Sequence, residues 1–119
     1  MLTYDVHMIQ LCNDYDISFS FDLKKNAELK EYRQVSFEDV IESIYHNKIL
    51  DIVVHHNQLK YAEQWIIVIE LNDYAYQVPF KYEEHSIRLI TILPSRKCTE
   101  KYLRGEKPWL SEKRILTLN

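Results

Sequence analysis

The sequence predicts an α+β domain: a mainly antiparallel sheet of about five strands, two N-terminal helices and one C-terminal helix. Three observations predict it. Apolar residues recur at helical spacing up to Asn47, and at a period of two beyond it. Asn72-Asp73 and the segment 81–85 join successive apolar runs and are too short for a parallel crossover. Near the end, Ser95 and Gly105 bracket a basic segment free of helix breakers, as helix caps do.

Each element follows in order. Residues 1–16 have no clear period and form an extension; with no basic n-region or long apolar h-region, they predict no signal peptide. ISFSF, 17–21, alternates as a half-buried strand does. KKNAELKEYR, 24–33, is built of helix formers, with Ala27 and Leu29 as a thin apolar stripe. Ser36 and Asp39 have capping-box spacing at the start of SFEDVIESIYHN. Phe37, Val40, Ile41 and Ile44 fall on one face of that helix, and Glu38, Asp39 and Glu42 are left to solvent. Strands are expected at 48–55, 64–71, 74–80 and 86–93, with a longer polar loop over 54–63. Asn72-Asp73 is a hairpin signal without the favoured glycine. The final helix is expected over 96–104, with Pro108 just beyond it, and ILTL in the tail 107–119 reads as one more strand. The whole, 1–119, reads as one domain: extension 1–16, core 17–104 and tail 105–119.

Composition narrows the class. No apolar run reaches the roughly 18 residues of a membrane span. Cys12 and Cys98 are too few for a disulfide framework and predict reduced thiols in a cytoplasm. A Gly-rich phosphate loop, a nucleophile elbow and metal-ligand spacing are all missing from the sequence, so no cofactor and no metal is expected. The net charge of −3 hides a split. Residues 1–85 hold 7 Lys/Arg against 15 Asp/Glu, whereas residues 86–119 hold 8 against 3. Screening acts over about 8 Å at physiological salt, so a phosphate feels the local face rather than the total.

The run FDLKKNAELKEYRQVSFEDVIESI (21–44) resembles the opening of the BrnT-type toxins. HHNQLKYAEQWIIVIELNDYAYQVPF (55–80) and IRLITILPSRKCTEKYL (87–103) are similar to a subgroup of that family. In order and spacing the resemblance covers residues 17–104. It implies a RelE-like fold and the toxin role in a type II toxin–antitoxin pair, an endoribonuclease that cuts RNA without a metal. The partner implied is a small DNA-binding antitoxin that forms a hetero-oligomer with the toxin; RNA is the substrate and no membrane is involved. The chain departs from the family where a His-Gly pair usually precedes VSFE: Arg33-Gln34 stands there. The Asn of the family's first helix aligns with Leu29.

Metal-independent cleavage needs a group to take the 2′-OH proton, cations for the phosphorane charge and a proton for the leaving 5′-oxygen. Arg88 is the first candidate for phosphate. It interrupts the apolar SIRLITIL, a guanidinium grips phosphate bidentately, and it matches the Arg of the family's corresponding strand. The competing reading is an edge or cross-strand salt bridge, for example to Glu70. Arg96 and Lys97 follow Ser95 at the positive end of a helix; Lys97, Lys101 and Arg104 share one face at i, i+4, i+7. The competing reading is a solvated helix whose late cations, Lys101 and Arg104, complement its dipole. Lys25 aligns with a basic position of the family's first helix, against the plainer reading of a surface lysine. For proton transfer the candidates are Glu63, which matches a family acid, and His55 or His56, with the better intrinsic pKa. Two adjacent strand residues face opposite ways, so only one of the histidines could serve if both were in a strand. Tyr74, Tyr76 and Trp65 read as core, whereas Tyr61 or Tyr82 in a connection could stack on a base and Trp109 could anchor a partner. The leading expectation is the ribonuclease toxin; the alternative is a module of the same fold that binds RNA or protein and cuts nothing.

Overall fold

The structure, a computed structural model, describes residues 17–104. The extension, the tail, Cys12, Trp109 and the expected ILTL strand lie outside the described residues. Six strands form one mostly antiparallel sheet: β1 (Ser18–Ser20), β2 (Ile49–Val54), β3 (Trp65–Leu71), β4 (Tyr74–Glu83), β5 (Ser86–Leu89) and β6 (Leu93–Pro94). The order across the sheet is β1-β5-β4-β3-β2, with β6 also on β4. Only β1 runs parallel to its neighbour, β5. Helices α1 (Leu23–Arg33) and α2 (Phe37–Tyr45) precede the meander. Helix α3 (Arg96–Cys98) follows it and widens into a π-helix over Thr99–Leu103.

Local chemistry explains these elements. Asp22 caps α1 by accepting from the backbone N–H groups of Lys24 and Lys25. The expected capping box of α2 forms: Asp39 N donates to Ser36 Oγ (3.1 Å) and Ser36 N donates to Asp39 Oδ2 (3.0 Å). Phe37, Val40 and Ile44 of α2 are fully buried, each contributing about 1.5–3 kcal/mol by leaving water. They pack on Ile52, Ile67, Ile69, Val78, Phe80, Ile87 and Leu89 from one sheet face. The opposite face has a smaller cluster, Ile66, Val68 and Ala75, covered by Cys98, Tyr102 and Leu103 of the C-terminal helix.

In α1 the buried polar residue is Asn26, while Ala27 is exposed. Asn26 Oδ1 accepts from Phe37 N (2.7 Å) and its Nδ2 donates to Glu38 (2.8 Å), tying α1 to the first turn of α2. That bond is the main reason the Glu38 carboxyl is held below its usual pKa. On the far face, Tyr102 donates its hydroxyl to buried Asp51, and burial followed by that bond and charge pushes the tyrosine pKa well up.

Strand β4 runs to Glu83, so the segment 81–85 is mostly strand and the turn is Glu84-His85. Both turn residues have positive φ, 49° and 63°, as a type I′ turn requires. Neither is the Asn, Asp or Gly that such a turn prefers. Replacing Glu84-His85 with Asn-Gly is expected to raise stability by about 1–2 kcal/mol, read as a higher urea midpoint at unchanged m-value.

The expected strand 86–93 is broken in two. β5 pairs with β4 as Phe80↔Leu89, which puts Pro79 opposite Ile90; β6 resumes as Gln77↔Leu93, one residue out of step. The extra residue is a bulge between Ile90 and Ile92. Its cause is Pro79, whose carbonyl accepts from Ile90 N (2.9 Å) but which has no N–H to return. Leu89 and Ile92 therefore both reach the main core across a spacing of three.

Candidate functional site

The bulge organises two adjoining cavities. β1 ends at Ser20, beside Arg88, so the edge of β5 is uncovered from Leu89 onward. Helix α1 runs past that edge, and Arg33 Nη1 donates to the carbonyl of Ile92 (2.5 Å), a group outside the regular ladder. The cleft between them is about 590 Å³ and is lined by Lys25, Arg33 and Arg88, with Asp22 and the segment Leu89–Thr91. The Asp22 carboxylate is occupied at the helix cap. Arg88 is exposed between buried Ile87 and Leu89 and makes no ion pair among the described residues. Glu70, considered for it, stands opposite Ala75 on β3, and β4 separates that strand from β5.

Ile90, Thr91 and Leu93 also form a wall of the second cavity, about 340 Å³, with His55, His56, Tyr61, Gln64 and Pro79. Strand β2 ends at Val54, so the alternation that would separate the two histidines does not apply. Their rings lie 4.7 Å apart, and Tyr61 packs 4.5 Å from His55. His55 is 8% exposed, and its Nδ1 accepts from Asn57 N (3.1 Å), so the neutral ring carries its proton on Nε2. Burial, and secondarily the charge of His56, lowers its pKa. His56 is exposed and makes no hydrogen bond among the described residues.

The lowered His55 pKa has a definite sign for stability. The unfolded chain takes up this proton near pH 6.5, whereas the folded chain resists it. Stability is whole above about pH 6.5 and falls as the pH drops from there through the lowered folded value. The urea midpoint of the wild type should fall between pH 7.5 and 5, and His55→Gln should flatten that part of the profile.

Other predicted residues lie elsewhere. Glu63 is exposed, has φ 71° and lines neither cavity. Arg96 and Lys97 are exposed on α3 and line neither. Ser95 Oγ accepts from Cys98 N (3.0 Å), so the expected cap is formed. The expected α-helix 96–104 is regular only through Cys98. Thr99 Oγ1 donates to Ser95 O (2.8 Å) and accepts from Ala75 N (2.8 Å), and Arg104 N then reaches back five residues to Thr99 O. The wider turn changes the α-helical spacing on which the i, i+4, i+7 alignment of Lys97, Lys101 and Arg104 was based. Lys101 lies over the Tyr102 ring, and Arg104 pairs with Asp73 (3.7 Å).

Three residues were given no functional role from the sequence. Arg33 was noticed only as a departure, yet it lines the cationic cleft. Gln34, beside it, takes the left-handed conformation (φ 57°) that ends α1, where a glycine would be unstrained. Lys81 stands directly across from Arg88 on the same sheet face. The pairing of β4 with β5 is the signal that would have found it.

A further hollow, of about 230 Å³, is lined by Asp39, Glu42 and Glu70, and its charge opposes phosphate. Among the described residues no group of three or more His, Cys, Asp or Glu is placed to hold a metal ion, and no helix is long and apolar enough to cross a membrane. Comparison with protein-family models, curated proteins and solved structures finds no match to this chain in any of the three.

Proposed function

We propose that the protein is a cytoplasmic, metal-independent endoribonuclease with a BrnT-type, RelE-like fold, the toxin of a type II toxin–antitoxin pair. One observation carries the reading: a cleft bearing three cations shares a wall with a cavity bearing two histidines and a tyrosine. Arg33 and Arg88 would grip the scissile phosphate, where guanidinium groups best match the oxygens. His56 would take the 2′-OH proton, because the Nδ1 of His55 is already occupied. The 2′-oxygen then forms its bond to phosphorus as the bond to the 5′-oxygen breaks, leaving a 2′,3′-cyclic phosphate and a 5′-hydroxyl. Lys25 would protonate the departing oxygen, since an ammonium can hand over a proton whereas a guanidinium holds its own. Arg96 and Lys97 would contact phosphates further along the strand.

The antitoxin would be a small DNA-binding protein laid over α1, with an acidic segment competing for the same cations. Exposed Leu23 and Tyr32 beside Lys25 and Arg33 supply apolar area for such a contact. A second reading, a binding module without catalysis, is favoured by the position of Glu63 outside both cavities and the occupied Nδ1 of His55. Inducing the protein alone in a bacterial host separates the two. Growth arrest with RNA fragments ending in cyclic phosphate is expected. Normal growth with intact RNA would leave the module.

A further inference from the structure

We propose that the cavity of His55, His56, Tyr61 and Gln64 is a nucleobase pocket that selects an unstacked base of single-stranded RNA next to the gripped phosphate, with Gln64 reading its edge. This rests on the phosphate reading of the neighbouring cleft. Four observations carry it.

The cavity adjoins the cationic cleft, with Ile90, Thr91 and Leu93 lining both, so a nucleotide bound across that segment would place its phosphate on one side and its base on the other. Its walls are aromatic and apolar. His55 is the buried member of the ring cluster, while exposed His56 and half-buried Tyr61 present the accessible ring surface. Every base has a π-face, and stacking on such rings is a general source of affinity for single strands. Lys60 lies over Tyr61, 5.2 Å from the ring centre, and adds a cation close to the strand.

Gln64 supplies what stacking lacks. Its backbone is pinned: its carbonyl accepts from His55 N (2.9 Å) and its N–H donates to Tyr61 O (3.1 Å). Its side-chain amide, by contrast, makes no hydrogen bond among the described residues although the residue is half-buried. An amide held in an otherwise apolar cavity with both donor and acceptor unused can pair with the edge of a base. A base paired and stacked in a duplex cannot enter, so the pocket takes single strands.

The test uses the full chain and fluorescence anisotropy with labelled 2′-O-methyl RNA hexamers, which cannot be cleaved by 2′-OH attack. One position is varied through all four bases, and a blunt duplex of the same length is included. The single strand should bind at least about 10-fold tighter than the duplex, with a preference at one position. Tyr61→Ala should weaken binding by roughly 5- to 100-fold while Tyr61→Phe keeps it, and Gln64→Leu should flatten the base preference. Circular dichroism confirms that each variant is folded. Equal binding of duplex and single strand, or a base profile unchanged in Gln64→Leu, overturns the pocket. If Arg88→Ala still weakens binding in that case, the phosphate cleft stands without it. Failure of every hexamer to bind overturns both.

Discussion

Arg88→Ala is expected to lower RNA cleavage by about 10²–10³-fold, the usual loss when one preorganised donor to a developing anion is removed. Arg88 is exposed and carries no ion pair among the described residues, so its loss costs the fold little. Single-turnover cleavage of a short RNA, with a thermal melt as the folding control, measures both quantities. Arg88→Lys should recover only part of the rate, because a point charge does not replace a planar fork. The dependence of RNA binding on salt should also weaken, by about 0.7 in the log–log slope for one lost contact to a single strand. Arg33→Ala should act in the same direction and also release the Ile92 carbonyl. An Arg88→Ala protein that cuts at the wild-type rate would place the phosphate elsewhere.

Asn26→Ala is expected to destabilise the protein by about 2–3 kcal/mol. The change strips the partner from the N–H of Phe37, a residue with no exposed surface, and removes the bond to Glu38. A buried donor left unmade costs its full desolvation, which exceeds the net worth of the bond. Asn26→Asp keeps an acceptor for Phe37 but sets a carboxylate against Glu38, so it should fall between the wild type and Asn26→Ala. Urea titration at pH 7.5 resolves the series. A loss below about 0.5 kcal/mol for Asn26→Ala would mean that α1 and α2 are joined by apolar packing alone.

The elements were largely legible, and the reason is local. Ser36 and Asp39 sit three residues apart, and that spacing suffices for a capping box whatever surrounds it. Phe37, Val40 and Ile44 recur at helical spacing and are the buried face of α2. The hairpin at Asn72-Asp73 formed without its glycine, with φ of 53° and 64°. The errors fell where a distant residue overrode a local pattern. SIRLITIL alternates well enough for one strand, but Pro79 on the neighbouring strand withholds the hydrogen bond that would continue it. RKCTEKYLR has good caps and helix formers, but Thr99 bonds both to Ser95 and across to Ala75, and the helix widens.

The candidate site divides along the same line. Residue chemistry singled out Arg88, His55 and His56, because a lone arginine in an apolar strand and paired histidines are visible in one dimension, whereas Lys25 was named through the resemblance. Arg96 and Lys97 looked equally eligible by that standard, yet they stand outside the cavities. Arg33 had no role by that standard, yet it lines the cleft. The order of residues was enough to set periodicity, caps and the inventory of cations, since these depend on neighbours within a few positions. Which cations share a cleft depended on a missing N–H in β4 and on the path of α1 past the open edge of β5. Those are contacts between positions more than ten residues apart, and no local spacing encodes them.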